Sequence, residues 1–350
     1  MNQHQYIVRE TGEVVTEKLI ADRSVRLLYN HVREHAPSMF KTLTSRRMSS
    51  LLGYFYFDFG LDQKRGKGLD LLNKIGADWN ECFDSPSAFD TPRKVFERKI
   101  RYWEVRPMAD DMSAAVSPAD AKILIGSLGR TQELFIKEKF FSVAELLGAD
   151  RGWVDDFEHG DFAIFRLTPD KYHYNHIPVS GRVRDTYIVE GRYHSCNPEA
   201  VLAVASVYSK NKRVVTIIDT DVKGGTQIGL VAMIEVVALM IGDIVQCYST
   251  TRYDNPVVVR PGIFVKKGCP KSMYRPGSST DILIFQPDRL TFCDDLQKNV
   301  CRRDVQSRFF SGFNRPLVET DIKVRSTIGR ANSKLSYTSF DKFGKCRLQE

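Results

Sequence analysis

The chain of 350 residues is long enough to bury one large core or two modest ones without disulfide staples. Its composition, 42% hydrophobic and 27% charged with no low-complexity tract, excludes a disordered or fibrous protein. The formal charge of +8 suits a negatively charged partner, either an anionic membrane surface or nucleic acid, and does not choose between them.

Met1 to Ile20 is polar and charged, so neither a secretory signal nor a transit peptide is expected, which places the chain in the cytoplasm. From Leu19 to Met48 apolar residues recur at helical spacing (Leu19, Ile20, Val25, Leu27, Leu28, Val32), with Arg23, Arg26 and Arg33 interleaved. Arg46 and Arg47 then precede an aromatic stretch ending in Tyr54-Phe-Tyr-Phe. Such a basic, aromatic-tipped helical region can lie on an anionic bilayer or pack its apolar face on the rest of the protein. Pro86 to Pro92 predicts a loop and Arg93 to Tyr102 a further helix. The spacing thus predicts a helical region over 1–112.

After Pro107 short Val/Ile/Phe-rich runs alternate with Gly, Pro, Asn and Asp: Ala163 to Leu167, Arg182 to Val189, Arg213 to Ile218, Leu230 to Met240, Val257 to Val265 and Ile282 to Phe285. They predict a mostly antiparallel β core over 113–331, with a helix at Phe141 to Leu147 and a last strand pair around Val318 to Ile328. The fold class is therefore α+β, closed by a soft tail over 332–350. The most apolar run, Ile228 to Val245, is broken by Glu235, Gly242 and Asp243, and nothing reaches the ~20 apolar residues of a membrane span. Seven scattered cysteines without a Cys-x-x-Cys predict reduced thiols and no zinc ribbon.

Four islands carry polar residues in patterns that chemistry uses. They are Val116-Ser-Pro-Ala-Asp120, Asp170-Lys-Tyr-His173-Tyr-Asn-His176-Ile-Pro, Tyr193-His-Ser-Cys-Asn-Pro with Asn211-Lys-Arg-Val-Val, and Lys267-Gly-Cys-Pro-Lys-Ser-Met-Tyr-Arg-Pro-Gly277-Ser278-Ser279-Thr. An acid, a base and a hydroxyl on separate loops are the raw material of a Ser-His-Asp relay. Asp in a proline turn and Gly-Ser-Ser are also ordinary turn sequences. His173 and His176 could share a zinc, but no further pair at ligand spacing completes a site, so no metal is expected.

Together the islands resemble the phosphatidylserine decarboxylase family. Phe96-Glu-Arg-Lys-Ile…Val105-Arg-Pro-Met is similar to its Phe-x-Arg-x-Leu…Arg-Pro-Ile, and Ser117-Pro-Ala-Asp120 to its Ser-Pro-x-Asp-Gly, with Ala121 in place of Gly. Phe141 to Gly148 resembles Tyr-x-Leu-x-x-Leu-Leu-Gly. Tyr172-His-Tyr-Asn-His-Ile-Pro resembles Tyr-His-Arg-x-His-x-Pro, with Tyr174 where Arg is usual. Tyr193 to Pro198, Asn211 to Val215 and Glu319 to Gly329 follow in the family's order, so the resemblance spans roughly 95 to 330.

The resemblance implies a proenzyme in which Asp120 orients His176, and His176 takes the proton of a serine hydroxyl that attacks the preceding carbonyl. The chain breaks, and a covalent pyruvoyl group derived from that serine traps the substrate amine and accepts the electrons left when CO₂ departs. His173 is the candidate for protons or the carboxylate in that second phase. An ungapped register makes Ser279 the precursor and Ser278–Ser279 the cleaved bond. The alternative, Gly277–Ser278, keeps a glycine before the cut and makes Ser278 the precursor.

The implied reaction converts phosphatidylserine to phosphatidylethanolamine on a membrane that the chain touches peripherally. The implied partners are anionic phospholipid and the chain's own two fragments as a heterodimer, and homo-oligomers are compatible with it. A decarboxylase of a soluble, for instance aromatic, amino acid and a relative that binds lipid or a partner without processing are the alternatives. The spread of Lys and Arg, with no stacking-aromatic module, speaks against nucleic acid.

Overall fold

The computed structural model describes residues 3–19, 24–25, 27–45, 48, 51, 57, 67–128, 141–204, 206–238, 243–276, 279–313 and 316–332. Gly277, Ser278, most of the stretch from Arg46 to Phe57, and the tail beyond Asn332 lie outside the described residues.

Among the described residues the strands are β1 (Gln5–Val8), β2 (Val14–Thr16), β3 (Ala114–Val116), β4 (Ala121–Ser127), β5 (Asp161–Leu167), β6 (Tyr174–His176), β7 (Gly181–Val189), β8 (Arg213–Asp219), β9 (Leu230–Val237), β10 (Ile244–Gln246), β11 (Phe264–Val265), β12 (Pro270–Tyr274), β13 (Ser279–Phe285), β14 (Leu290–Phe292), β15 (Glu319–Ile322) and β16 (Thr327–Ala331). Ten of them form one sheet, in the order β11-β7-β8-β9-β13-β5-β4-β15-β1-β2. Two three-stranded sheets run β10-β12-β6 and β14-β16-β3. Pairs in the large sheet are antiparallel except β1 with β15. With the helices between strands, this is an α+β chain.

The central strands β8, β9, β13 and β5 are Val/Ile/Phe-rich because both their faces are covered. Side chains alternate across a strand, and the alternation splits them into two cores. Ile164, Ile217, Ile234, Ile282 and Ile284 meet helical residues such as Leu146, Leu147, Val201 and Tyr208. Phe165, Leu167, Met233, Leu283 and Phe285 meet residues of the small sheets and their loops, including Ile177, Tyr274 and Phe292. Helix Val143–Leu147 falls where the sequence predicts one; Ser142 caps it by accepting from Glu145 N–H, and Gly148 leaves it at φ +81°.

Three elements differ from expectation. The first sixteen residues contribute β1 and β2 to the large sheet, ahead of the helical segments Leu27–Val32, Pro37–Leu43 and Lys67–Ile75. Val257 to Val265 supplies only the two-residue β11, because Pro256 and Pro261 remove ladder donors. Strands β15 and β16 do not pair with each other: β15 joins β1 and β4, and β16 joins β3 and β14. Between them Arg325 at φ +72° redirects the chain.

Candidate active site

The strand alternation turns Tyr174 and His176 to one side of β6 and Asn175 to the other. Tyr172, Tyr174 and Met273 belong to an aromatic cluster with Ile100 and Tyr102, facing away from the large sheet. His176 shares that side, with its ring 4.7 Å from Tyr102. Asn175 points the other way and reaches Glu235 of β9.

His176 is fully buried and both ring nitrogens are engaged. Nδ1 lies 2.9 Å from the Gly268 carbonyl oxygen, which only accepts, so Nδ1 carries the proton. Nε2 lies 3.0 Å from the Tyr172 hydroxyl, which in turn is 2.8 Å from the Tyr253 hydroxyl. Burial pushes the imidazole down to about 3, against the pull of the Gly268 carbonyl, so the ring is neutral at physiological pH.

Asp120 does not hydrogen-bond to His176. Its carboxylate accepts from Arg106, with Nη2 at 2.7 Å from Oδ2 and Nε at 3.0 Å from Oδ1, and from Val324 N–H at 2.8 Å. Burial works against its charge, but the Arg106 guanidinium overrides that and holds the carboxyl below its ordinary range. Arg106 spans further to Glu81, at 2.7 and 2.8 Å. The Ser117–Asp120 turn nevertheless abuts His176, whose backbone N–H donates to Pro118 O at 2.7 Å. The two islands thus meet through the backbone, and Asp120 acts on His176 only through its field.

His173 is the freer ring. It is buried, stacked on Phe96 at 3.6 Å between centroids, and neither nitrogen has a partner among the described residues. Burial, with the Arg98 charge, pushes it down to about 3, so it too is neutral. Ser279 opens β13, held between Leu167 of β5 and Val237 of β9, with its buried Oγ equally without a described partner. Tyr274 connects the two: its N–H donates to the His173 carbonyl at 3.0 Å, and its hydroxyl lies 3.0 Å from the Thr280 carbonyl oxygen. Ser278 and Gly277, between β12 and β13 in sequence, fall outside the described residues.

The sequence reading passed over a polar cluster on the same side of the sheet. Glu235 accepts from Lys271 Nζ at 2.5 Å, from Gln246 at 3.3 Å, from Asn175 at 3.2 Å and from the Ser272 hydroxyl. Asp281 stands opposite Glu235 in register. The signal was present: Glu235 and Asp281 occupy positions of apolar strands that alternation turns inward. A cavity of about 330 Å³, lined by Trp153, Arg184, Asp219, Asp221, Gly229, Leu230 and Gln286, lies at the opposite end of β13 and touches none of these residues.

Comparison with known proteins shows the family. The sequence profile described as phosphatidylserine decarboxylase matches residues 93–303. The phosphatidylserine decarboxylase proenzyme of Ruminiclostridium cellulolyticum is 29% identical over 289 residues, covering 82% of this chain and 89% of that one. The proenzyme of the same name from Fusobacterium nucleatum is 27% identical over 316 residues, 88% of this chain and 95% of its own. That from Bordetella petrii is 30% identical over 236 residues, 64% and 78% of the two chains. With the match running over more than half its length, from the helix before Arg106 through the whole of β13, this chain belongs to the phosphatidylserine decarboxylase family.

Proposed function

We propose that the chain is made as a proenzyme, cuts its own backbone before Ser279, and uses the resulting pyruvoyl group to convert phosphatidylserine to phosphatidylethanolamine with loss of CO₂. The observation that carries this reading is the Ser279 hydroxyl, buried and unpartnered at the first residue of a central strand, next to the Tyr274 link to an equally unpartnered neutral His173. The names of the similar proenzymes supply the substrate and the processing.

In the first stage the Ser279 oxygen bonds to the carbonyl carbon of residue 278. The hydroxyl proton passes to a base, the C–N bond breaks, and the nitrogen takes up a proton. Loss of the Ser279 Cα proton then breaks the ester, releases residue 278 as a carboxylate and leaves a dehydroalanine. Water converts this to a ketone with release of ammonia. His176 can serve as the base only if Tyr172 leaves Nε2, whereas His173 needs no such exchange. Asp120, held by Arg106, keeps a negative charge behind His176 in either case.

The residues present fit the group that would result. A ketone at position 279 stays in place because β5 and β9 hold β13 from both sides. For the same reason the C-terminal fragment remains in the sheet after the cut, so the mature protein is a heterodimer of its own pieces. The pyruvoyl group supplies a carbonyl for the substrate amine and a sink for the electrons released with CO₂. Its neutrality and its stacking on Phe96 support His173 as the group that holds or moves a proton there.

Among the described residues no helix is long and apolar enough to cross a membrane. The charge of +8 and the basic helical segments before residue 50 support peripheral contact with anionic lipid. Intact mass of the purified protein tests the reading. Two fragments are expected, the smaller beginning with a pyruvoyl group at 279. Ser279→Ala should stay whole and Ser278→Ala should still be cut; the reverse pattern moves the site to Gly277–Ser278. A substrate panel and flotation with anionic liposomes then separate phosphatidylserine from a soluble amino acid.

A further inference from the structure

Tyr274, the last residue of β12, and Thr280 and Asp281 of β13 bracket residues 275–279, the segment that holds every candidate for the cut. The Tyr274 hydroxyl lies 3.0 Å from the Thr280 carbonyl oxygen and 2.7 Å from Asp281 Oδ1. A phenol has one proton. If Asp281 were ionised, both neighbours would only accept, and one of the two contacts would lack a hydrogen. A protonated Asp281 fills both: Oδ1–H donates to the tyrosine oxygen, and the tyrosine proton goes to Thr280. Oδ2, which has no partner among the described residues, is then a neutral carbonyl oxygen rather than a bare buried anion.

The surroundings supply the reason for the proton. Glu235 faces Asp281 from β9, Lys271 and Tyr274 face it from β12, and apolar Phe165 stands opposite on β5. Cys247 lies beyond, beside Glu235 and Lys271. Lys271, Glu235 and Asp281 are all 0% exposed. One ammonium balances one carboxylate, and Glu235 has taken it at 2.5 Å. A second negative charge would have no counter-ion among the described residues.

We propose that Asp281 is a neutral carboxylic acid whose proton completes a Tyr274–Thr280 bridge, and that this bridge positions Ser279 for self-cleavage. The proposal rests on the self-processing reading of the same site. Burial, and then the Glu235 charge, push the Asp281 carboxyl well above its ordinary value, in the same direction. Asp281 is a positioning residue: ionising it withdraws a hydrogen from the bridge and loosens the start of β13, where Ser279 sits.

Freshly made protein is followed on denaturing gels at a series of pH values, with an infrared spectrum taken in parallel. The wild-type cleavage rate is expected to fall on the alkaline side. Asp281→Asn carries an amide donor at every pH, so its rate should lose that fall, whatever its level at neutral pH. Tyr274→Phe should slow cleavage by about tenfold, the worth of one lost hydrogen bond. A protonated-carboxyl infrared band should be present in the wild type at neutral pH and absent from Asp281→Asn. The proposal is overturned if no such band distinguishes them, or if Tyr274→Phe, melting at the wild-type temperature, cleaves at the wild-type rate with an unchanged pH profile. If Tyr274→Phe does not fold, the Asp281→Asn profile and the band decide. A wild-type chain that stays whole removes the self-processing reading and the positioning role together, while the band still reports the protonation of Asp281 by itself.

Discussion

Toward one edge of the large sheet, Glu17 and Glu319 share Arg166, whose guanidinium is 2.6 Å from each. Lys122 is 3.8 Å from Glu17, and His4 is 2.8 Å from Glu319. At the centre of the sheet, Glu235 and Asp281 have Lys271 alone among the described residues. Both regions bury two carboxyl groups, yet their charge counts differ. Burial pushes Glu17 and Glu319 up, but Arg166 and the other cations outweigh it and hold both low. Asp281 moves the opposite way. The number of cations within reach decides whether a buried carboxyl is an ion or an acid. His4, Glu17 and Glu319 have ligand atoms within 4.8 Å of one another, a spacing that suits a metal, but Arg166 already supplies the positive charge there.

Four substitutions break or sharpen that contrast, best made in the Ser279→Ala background, where the chain is expected to stay whole and unfolding is unimolecular. Arg166→Met has the largest effect. It leaves two buried carboxylates short of a partner and should cost about 3–5 kcal/mol in urea denaturation; a loss under about 1 kcal/mol would remove the cluster's role in tying β5 to β15. Lys271→Met should cost less, about 2–3 kcal/mol in urea denaturation, because Glu235 keeps its donors from Gln246, Asn175 and Ser272. A loss as large as that of Arg166→Met would contradict this ranking.

The two regions also predict opposite pH slopes. Glu17 and Glu319 have lowered folded values, so their contribution is present above the ordinary 4.5 and is lost as pH falls through the folded values. Asp281 has a raised folded value, so stability is greatest below the ordinary 3.8 and falls as pH rises toward the folded value, by at most ~1.4 kcal/mol per pH unit. Asp281→Asn should remove that fall and leave the acid limb intact, as urea midpoints across pH would show. Tyr253→Phe is the smallest change. It deletes a hydroxyl 2.8 Å from both Tyr172 and the Ile100 carbonyl, and should cost about 1 kcal/mol, read from the melting temperature.

The central strands were legible because a strand buried on both faces must be apolar throughout, as β8 and β9 are. Helix Val143–Leu147 was legible from its cap and terminal glycine. Strands β1 and β2 were not, since four and three residues hold too little pattern to register as strands. The pairing of β15 with β4 was hidden for a different reason: about two hundred residues separate them, and alternation says nothing of partners. At the site, the islands containing Asp120, His173, His176 and Ser279 stood out through motif order. Arg106 was in a quoted motif, but nothing local tied it to Asp120.

The sequence alone determined which residue types could do chemistry and which long central segments would be strands, because both depend on composition and on a period of two. Tertiary structure decided who faces whom: His176 against Tyr172 and Gly268, His173 stacked on Phe96, Asp281 opposite a Glu235 already paired with Lys271. Hydrogen-bond partners and counter-ions come from strands distant in the chain. Only the packed fold, by excluding water, makes a shortage of one cation fix the place of a proton.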